Sequence, residues 1–178
     1  WRHAPLRFHT VDVTLSQGYH TIVFEFFDDA AHAIAKLSWK MISPVFTNWR
    51  GEYFNSKDLS GTPVLVRDDG SGFIDFDWGF ASPDPRVYSD FSARWTRKVY
   101  FEAGTYRFIM GADDGMRLKI DGVVRKEDWR PAPLRFHEVD VTLSQGYHTI
   151  VFEFFDDRRH AVAKLSWERI TGPEPVPT

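Results

Sequence analysis

Thr10-Val11-Asp12-Val13-Thr14-Leu15, a turn at Gly18, and His20-Thr21-Ile22-Val23-Phe24-Glu25-Phe26-Phe27 decide the fold class of this chain. The first run alternates polar and apolar residues with period two, and the second is β-branched and aromatic throughout, so both read as strands. Ala33-Ile34-Ala35-Lys36-Leu37-Ser38-Trp39 predicts a third strand, after the polar connector Asp28-Asp29-Ala30-Ala31-His32. Function is expected in that connector before it is expected in the strands, because loops expose side chains that strands commit to packing.

The same text returns later in the chain. Trp1 to Trp39 matches Trp129 to Trp167 at a constant offset of 128, and only positions 3, 10, 30, 31 and 34 differ. The connector becomes Asp156-Asp157-Arg158-Arg159-His160 in the second copy. The segment between Gly51 and Asp128 occurs once, so the chain holds two copies of one half-domain and one copy of the other. This reads as an array with a repeat length of 128, entered inside a unit. The three leading strands would have bare edges, which are expected to pair with another chain or with the missing half of a preceding domain. The start at Trp1 shows neither a signal peptide nor an initiator Met, and the chain reads as a fragment.

Composition bounds the function classes. A content of 43% hydrophobic and 16% aromatic residues over 178 positions is ample for a packed core. The formal charge of -3 leaves no electrostatic footprint for nucleic acid, and no basic stripe interleaves with the aromatics. No apolar run approaches the roughly 20 residues of a membrane helix, so no membrane insertion is expected. Cysteine is absent, which removes disulfides and thiol chemistry.

The middle of the chain continues the β pattern. Phe91 to Phe101 alternates, Glu102-Ala103-Gly104 is a turn, and Thr105-Tyr106-Arg107-Phe108-Ile109-Met110 is another strand. Met116 to Ile120 and Val123 to Lys126 form a hairpin across Asp121-Gly122, a pair suited to a type I′ turn with positive φ at both central positions. Asp68 to Pro85, rich in Gly, Asp and Pro, reads as a long loop, and Thr171 to Thr178 as an extended linker. Short strands at close spacing without helical periodicity predict an all-β antiparallel sandwich or barrel.

Gly51-Glu52-Tyr53-Phe54, Leu59-Ser60-Gly61, Phe76-Asp77-Trp78-Gly79, Phe91-Ser92-Ala93-Arg94-Trp95, Phe101 to Tyr106, Ala112 to Gly122 and Gly146-Tyr147-His148 follow one another in an order that resembles the PA14 domain family. The resemblance covers Gly51 to Trp167, and Trp1 to Trp39 resembles the second half of a preceding PA14 domain. It implies a PA14-type β-sandwich of extracellular proteins, found in adhesins, glycosidases, toxins and bacterial surface arrays, commonly a carbohydrate-binding module and not itself a catalyst. The expected organisation is a half-repeat at 1–42, a linker at 43–50, a complete domain at 51–170 and a Pro-rich linker at 171–178.

Asp113-Asp114-Gly115 carries the sharpest chemistry. Adjacent carboxylates repel unless a cation or donors neutralise them, and hard oxygens on a turn suit Ca²⁺, which takes about six to eight at 2.3–2.6 Å. In sugar-binding relatives the Asp-Asp pair resembles the motif that holds a calcium ion which chelates vicinal sugar hydroxyls. The other reading is a tight turn whose Asp side chains cap backbone N–H groups. Fungal adhesins of this type complete the site with an Asn from the last connector. This chain has Asp156 and Asp157 there, either as calcium ligands or paired with Arg158, Arg159 or solvent. Trp129, Arg158 and His160 join Asp113 and Asp114 as candidate sugar contacts. Asp68-Asp69-Gly70-Ser71-Gly72, followed by Asp75 and Asp77, lacks EF-hand spacing and reads as a solvated turn. Trp39, Trp78, Trp95 and Trp167 are expected in the core, and the histidines in strands and loops.

Catalysis is not expected. Acidic residues adjacent in sequence cannot flank a glycosidic bond from both sides, and there is no Gly-x-Ser-x-Gly elbow, Cys nucleophile or His-x-x-x-His pair. The expected function is an extracellular, calcium-binding repeat module of a surface adhesin or fibre, with glycans as ligands and neighbouring repeats or identical chains as partners. The alternative is a purely structural subunit of an extracellular filament or stalk.

Overall fold

The computed structural model describes residues 8–11, 13, 20–28, 33–39, 48–157 and 160–171. The chain divides into two units, Trp1–Pro44 and Val45–Thr178. The second is a sandwich of ten strands: β1 (Arg50–Phe54), β2 (Leu65–Asp68), β3 (Ile74–Gly79), β4 (Ser92–Phe101), β5 (Gly104–Asp113), β6 (Gly115–Ile120), β7 (Val123–Asp128), β8 (Arg135–Leu143), β9 (Gly146–Phe155) and β10 (Ala161–Thr171). One sheet runs β2-β1-β4-β9-β6-β7 and the other β3-β10-β5-β8, with every described pairing antiparallel. This is the all-β antiparallel sandwich that the period-two pattern predicts.

The core follows from that alternation. Ile150, Phe152 and Phe154 of β9 point inward, as do Tyr106, Phe108, Met110 and Ala112 of β5, and all are buried. Trp95 lies among Phe76, Trp78 and Phe152 with ring centroids 5.6, 6.3 and 5.9 Å away, all stacked. Its indole N–H donates to Asp69 Oδ2 at 2.9 Å, so the polar tip of a buried Trp is satisfied. The Asp121-Gly122 turn has φ of 52° and 78°, as a type I′ hairpin requires.

Two expectations are corrected in this unit. The Gly-, Asp- and Pro-rich stretch from Asp68 to Pro85 contains strand β3, which pairs with β10 and turns Ile74, Phe76 and Trp78 toward the core. Its period-two pattern was masked by the turn residues on both sides. Asp69 is not in a solvated turn: its carboxylate accepts hydrogen bonds from Tyr53 Oη at 2.7 Å, Trp95 Nε1 and Arg67 Nε at 2.5 Å. Burial, followed by the neighbouring Asp69 charge, pushes the Tyr53 phenol far above its usual range.

The described residues of the first unit carry no strand, although they repeat the text of β8, β9 and β10. Phe24, Phe26, Leu37 and Trp39 are exposed there, Trp39 at 77%, and the core role expected of Trp39 is corrected accordingly. A strand needs partners, and the residues that pair with β8–β10 occur once in the sequence. The predicted connector 29–32, most of the 43–50 linker and the 172–178 tail lie outside the described residues.

Candidate ligand-binding site

The loops after β5, β7 and β9 are tied together by one carboxylate and one guanidinium. Asp114, at the β5–β6 junction, is 6% exposed. Its Oδ1 accepts the Ala132 N–H at 2.9 Å and its Oδ2 accepts the Asp157 N–H at 2.7 Å. Asp156 N–H donates to Phe91 O at 2.9 Å, which joins the β9–β10 connector to the start of β4. Burial pushes the Asp114 carboxyl up, the Asp157 and Ala132 amides oppose that shift, and the charges of Asp113 and Asp157 add to it. The Asp113–Asp114 peptide is cis.

Arg135, the first residue of β8, supplies the positive counterpart. Its Nη1 donates to Asp114 O at 2.7 Å and Ala132 O at 3.3 Å, and its Nη2 to Asp128 O at 3.1 Å and Arg130 O at 3.3 Å. Its Nε reaches Asp128 Oδ2 at 2.6 Å. Four main-chain carbonyls and a carboxylate therefore converge on one planar cation, whose fork of donors fixes their directions. The same hydrogen bond from Arg135, with those from His137 and Arg130, holds the Asp128 carboxyl well below the usual carboxylate range.

The donors of the acidic pair are hard oxygens, as calcium requires. Both Asp114 oxygens already serve backbone N–H groups. Asp157 Oδ1 meets Lys57 Nζ at 3.1 Å, and Asp156 is buried. Among the described residues no group of three or more His, Asp or Glu side chains could hold a metal ion. Asp114 caps two backbone amides.

The other predicted contacts are placed separately. Trp129 is half-buried, its ring 4.9 Å from that of Phe155 and beneath the Arg117 guanidinium at 4.6 Å, so its near neighbours are protein. His160 stands edge-on to Phe80 with ring centroids 5.6 Å apart and its Nε2 3.5 Å from Asp77. Arg158 lies outside the described residues.

Beside this knot lies an open groove of about 900 Å³, lined among others by Phe80, Ser82, Asp84, Tyr88, Ser89 and Asp156. Its wall is the β3–β4 loop, and that loop is pinned. Asn55 Nδ2 donates to Arg86 O at 3.1 Å while Asn55 Oδ1 accepts the Tyr88 N–H at 2.8 Å. Arg67 Nη1 reaches Pro83 O at 3.3 Å, and Val87 is buried as an anchor. Phe80 is nevertheless 88% exposed and Tyr88 67%. Leaving a Phe in water forgoes about 1.5–3 kcal/mol of burial. Sequence reasoning missed both residues; the signal was an aromatic on each side of Pro83-Asp84-Pro85, in a stretch with no apolar partner.

Asp84 makes a two-point ion pair with Arg86, at 2.7 Å to Nε and 3.0 Å to Nη2, and also accepts the Arg86 N–H at 3.0 Å. The Arg86 side chain, then its amide, hold the Asp84 carboxyl at about 2, below its ordinary 3.8. A depressed folded pKa stabilises the loop above the unfolded value and ceases to do so as pH falls through the folded one. Protection of the Arg86 and Val87 amides, taken relative to their intrinsic exchange at each pH, should therefore hold down to pH 3.8 and fall as pH drops toward 2, and Asp84→Asn should remove that pH step.

The fold is a two-sheet antiparallel β-sandwich, with an aromatic-edged groove beside its pinned β3–β4 loop. The sequence profile of the PA14 domain matches residues 47–178, and the chain belongs to the PA14 domain family. Over 123 residues it is 41% identical to the anti-sigma-I factor RsgI3 of Acetivibrio thermocellus, an alignment covering 66% of this chain and 18% of that protein. A solved anti-sigma factor domain-containing protein from Clostridium clariflavum is 30% identical with a TM-score of 0.63, over 70% of this chain and 42% of that one. The PA14 sugar-binding domain from an RTX adhesin shares the fold at 19% identity and a TM-score of 0.50, over 70% and 91% of the two chains.

These relationships correct the expected function. An adhesin or fibre module, a filament or stalk subunit, and partnership with neighbouring repeats or identical chains in an array are all overturned by the likeness to anti-sigma factors at 41% and 30% identity. The duplicated half was the ground for the array and filament expectations, and the PA14 resemblance for the adhesin. Duplication copies a segment in any host protein and specifies no contact between copies, so it carried no information about an array.

Proposed function

We propose that this chain is a non-catalytic sensing domain of an anti-sigma-factor-type regulator, displayed outside the cell, and that the ligand it reads is a polysaccharide. The observation that carries the reading is the 41% identity to anti-sigma-I factor RsgI3. The groove supports it as a preformed, open site on a pinned loop, which suits a ligand longer than the groove itself. The sugar-binding domain of the RTX adhesin supports the ligand class at the level of the fold. The test is made in the full-length protein that carries this domain. Transcription from promoters served by the cognate sigma factor should rise when polysaccharide is supplied, and deletion of residues 47–178 should abolish the rise. A full response without the domain would refute the proposal.

The hydrogen bonds that hold Asp114 are made by protein groups, so the reading expects loop order without metal. Melting curves in excess EDTA and in excess calcium chloride should coincide within about 1 °C, since a ligand bound to the folded state alone raises stability by mass action. A fall in melting temperature with chelator would show that calcium occupies the loops.

A further inference from the structure

We infer that the groove walled by the β3–β4 loop is the saccharide subsite of this domain, that Phe80 and Tyr88 are its stacking surfaces, and that it takes a neutral pyranose chain. The inference rests on the polysaccharide-sensing reading and locates it on residues that the acidic pair does not include.

Three observations carry it. The loop is held by Asn55, Arg67 and buried Val87, so its two exposed aromatics are presented and not merely loose. A rigid aromatic face with low conformational freedom suits the C–H faces of a pyranose, which an aliphatic patch would not orient. Between those rings the lining offers Ser82 and Ser89 hydroxyls with the Asp84 and Asp156 carboxylates, groups that match sugar hydroxyls. The third observation is charge. Both charged side chains that line the groove are acidic, and among the described cations near it Arg86 is paired with Asp84, Arg67 with Asp69 and Lys57 with Asp157. A uronate polymer would meet like charge, whereas a neutral chain would not. The groove is open, so internal residues of a long chain can enter as readily as its ends.

The experiment is affinity electrophoresis of the whole chain through gels containing xyloglucan, mixed-linkage β-glucan, galactomannan or polygalacturonate. The unmodified chain should be retarded by at least one neutral polymer and not by polygalacturonate. Phe80→Ala and Tyr88→Ala should each weaken that retardation about 3- to 10-fold, the range a single aromatic contact is worth. Phe80→Trp should retain binding, which a folding defect would not permit. Tyr147→Ala removes an exposed aromatic nine residues before Asp156, roughly 30 Å along β9, and should change nothing. If no polysaccharide retards the unmodified chain, the sensing reading itself fails. If the chain is retarded and both alanine variants match it, or if polygalacturonate is preferred, the sensing reading stands and the subsite assignment is overturned.

Discussion

Glu153→Ala is expected to destabilise the sandwich by about 3 kcal/mol, far more than an outward-facing strand residue ordinarily costs. Glu153 sits on β9 directly opposite Arg94 of β4 and Arg117 of β6, and it is fully buried. Its Oε1 accepts from Arg94 Nε at 2.9 Å, while its Oε2 accepts from Arg117 Nη1 and Lys119 Nζ at 3.0 Å each. Burial alone would raise its pKa, but Arg94, Lys119 and Arg117 outweigh that and hold the carboxyl below its ordinary 4.5. The alanine variant leaves three cations facing one another across the sheet. Their side chains remain 23–33% exposed and partly hydrated, which places the cost at the lower end of the range for broken buried pairs. Urea titration measures it, and a loss under about 1 kcal/mol would show that the three cations swing into water unaided. The sign of the pH dependence follows. A depressed folded pKa gives stability above pH 4.5 that is lost as pH falls through the lower folded value, so the variant should lose less stability on acidification than the parent.

Phe152→Ala is expected to cost about 3–5 kcal/mol and Phe24→Ala no more than about 0.5. Both residues lie in the same six-residue text, Ile-Val-Phe-Glu-Phe-Phe. Phe152 is fully buried against Trp95, whereas Phe24 is 51% exposed. Local sequence, strand propensity and unfolded-chain effects therefore cancel between the two substitutions, and the difference reports tertiary packing alone. Equal losses in thermal or urea unfolding would mean that the first copy is packed in solution as tightly as the second.

The same pair shows how much of the molecule was legible. Strand text was readable where period two ran, as in β4, or where β-branched and aromatic residues ran together, as in β9, and the Asp121-Gly122 hairpin announced its own turn. Residues 8–28 carry equally clear strand text without strand structure among the described positions, because hydrogen-bond partners are a property of the rest of the chain. Strand β3 was hidden by the turn residues around it. At the candidate site, the two-carboxylate motif was visible, but not that Asp114 would turn its oxygens onto the amides of Ala132 and Asp157, contacts that reach 18 and 43 residues along the chain. Phe80 and Tyr88 were passed over because a loop aromatic looks like a core residue until the absence of an inward-facing partner is seen in three dimensions.

Arg135 gives the domain a counter-ion that cannot leave. A free cation held by the carbonyls of Asp114, Asp128, Arg130 and Ala132 would have a dissociation constant, and the shape of these loops would vary with the concentration of that ion in the medium. A guanidinium tethered by the backbone is present at a fixed stoichiometry of one, at any dilution and beside any chelating polymer. In the proposed sensing role, that would separate the response to a ligand from the ions that surround it.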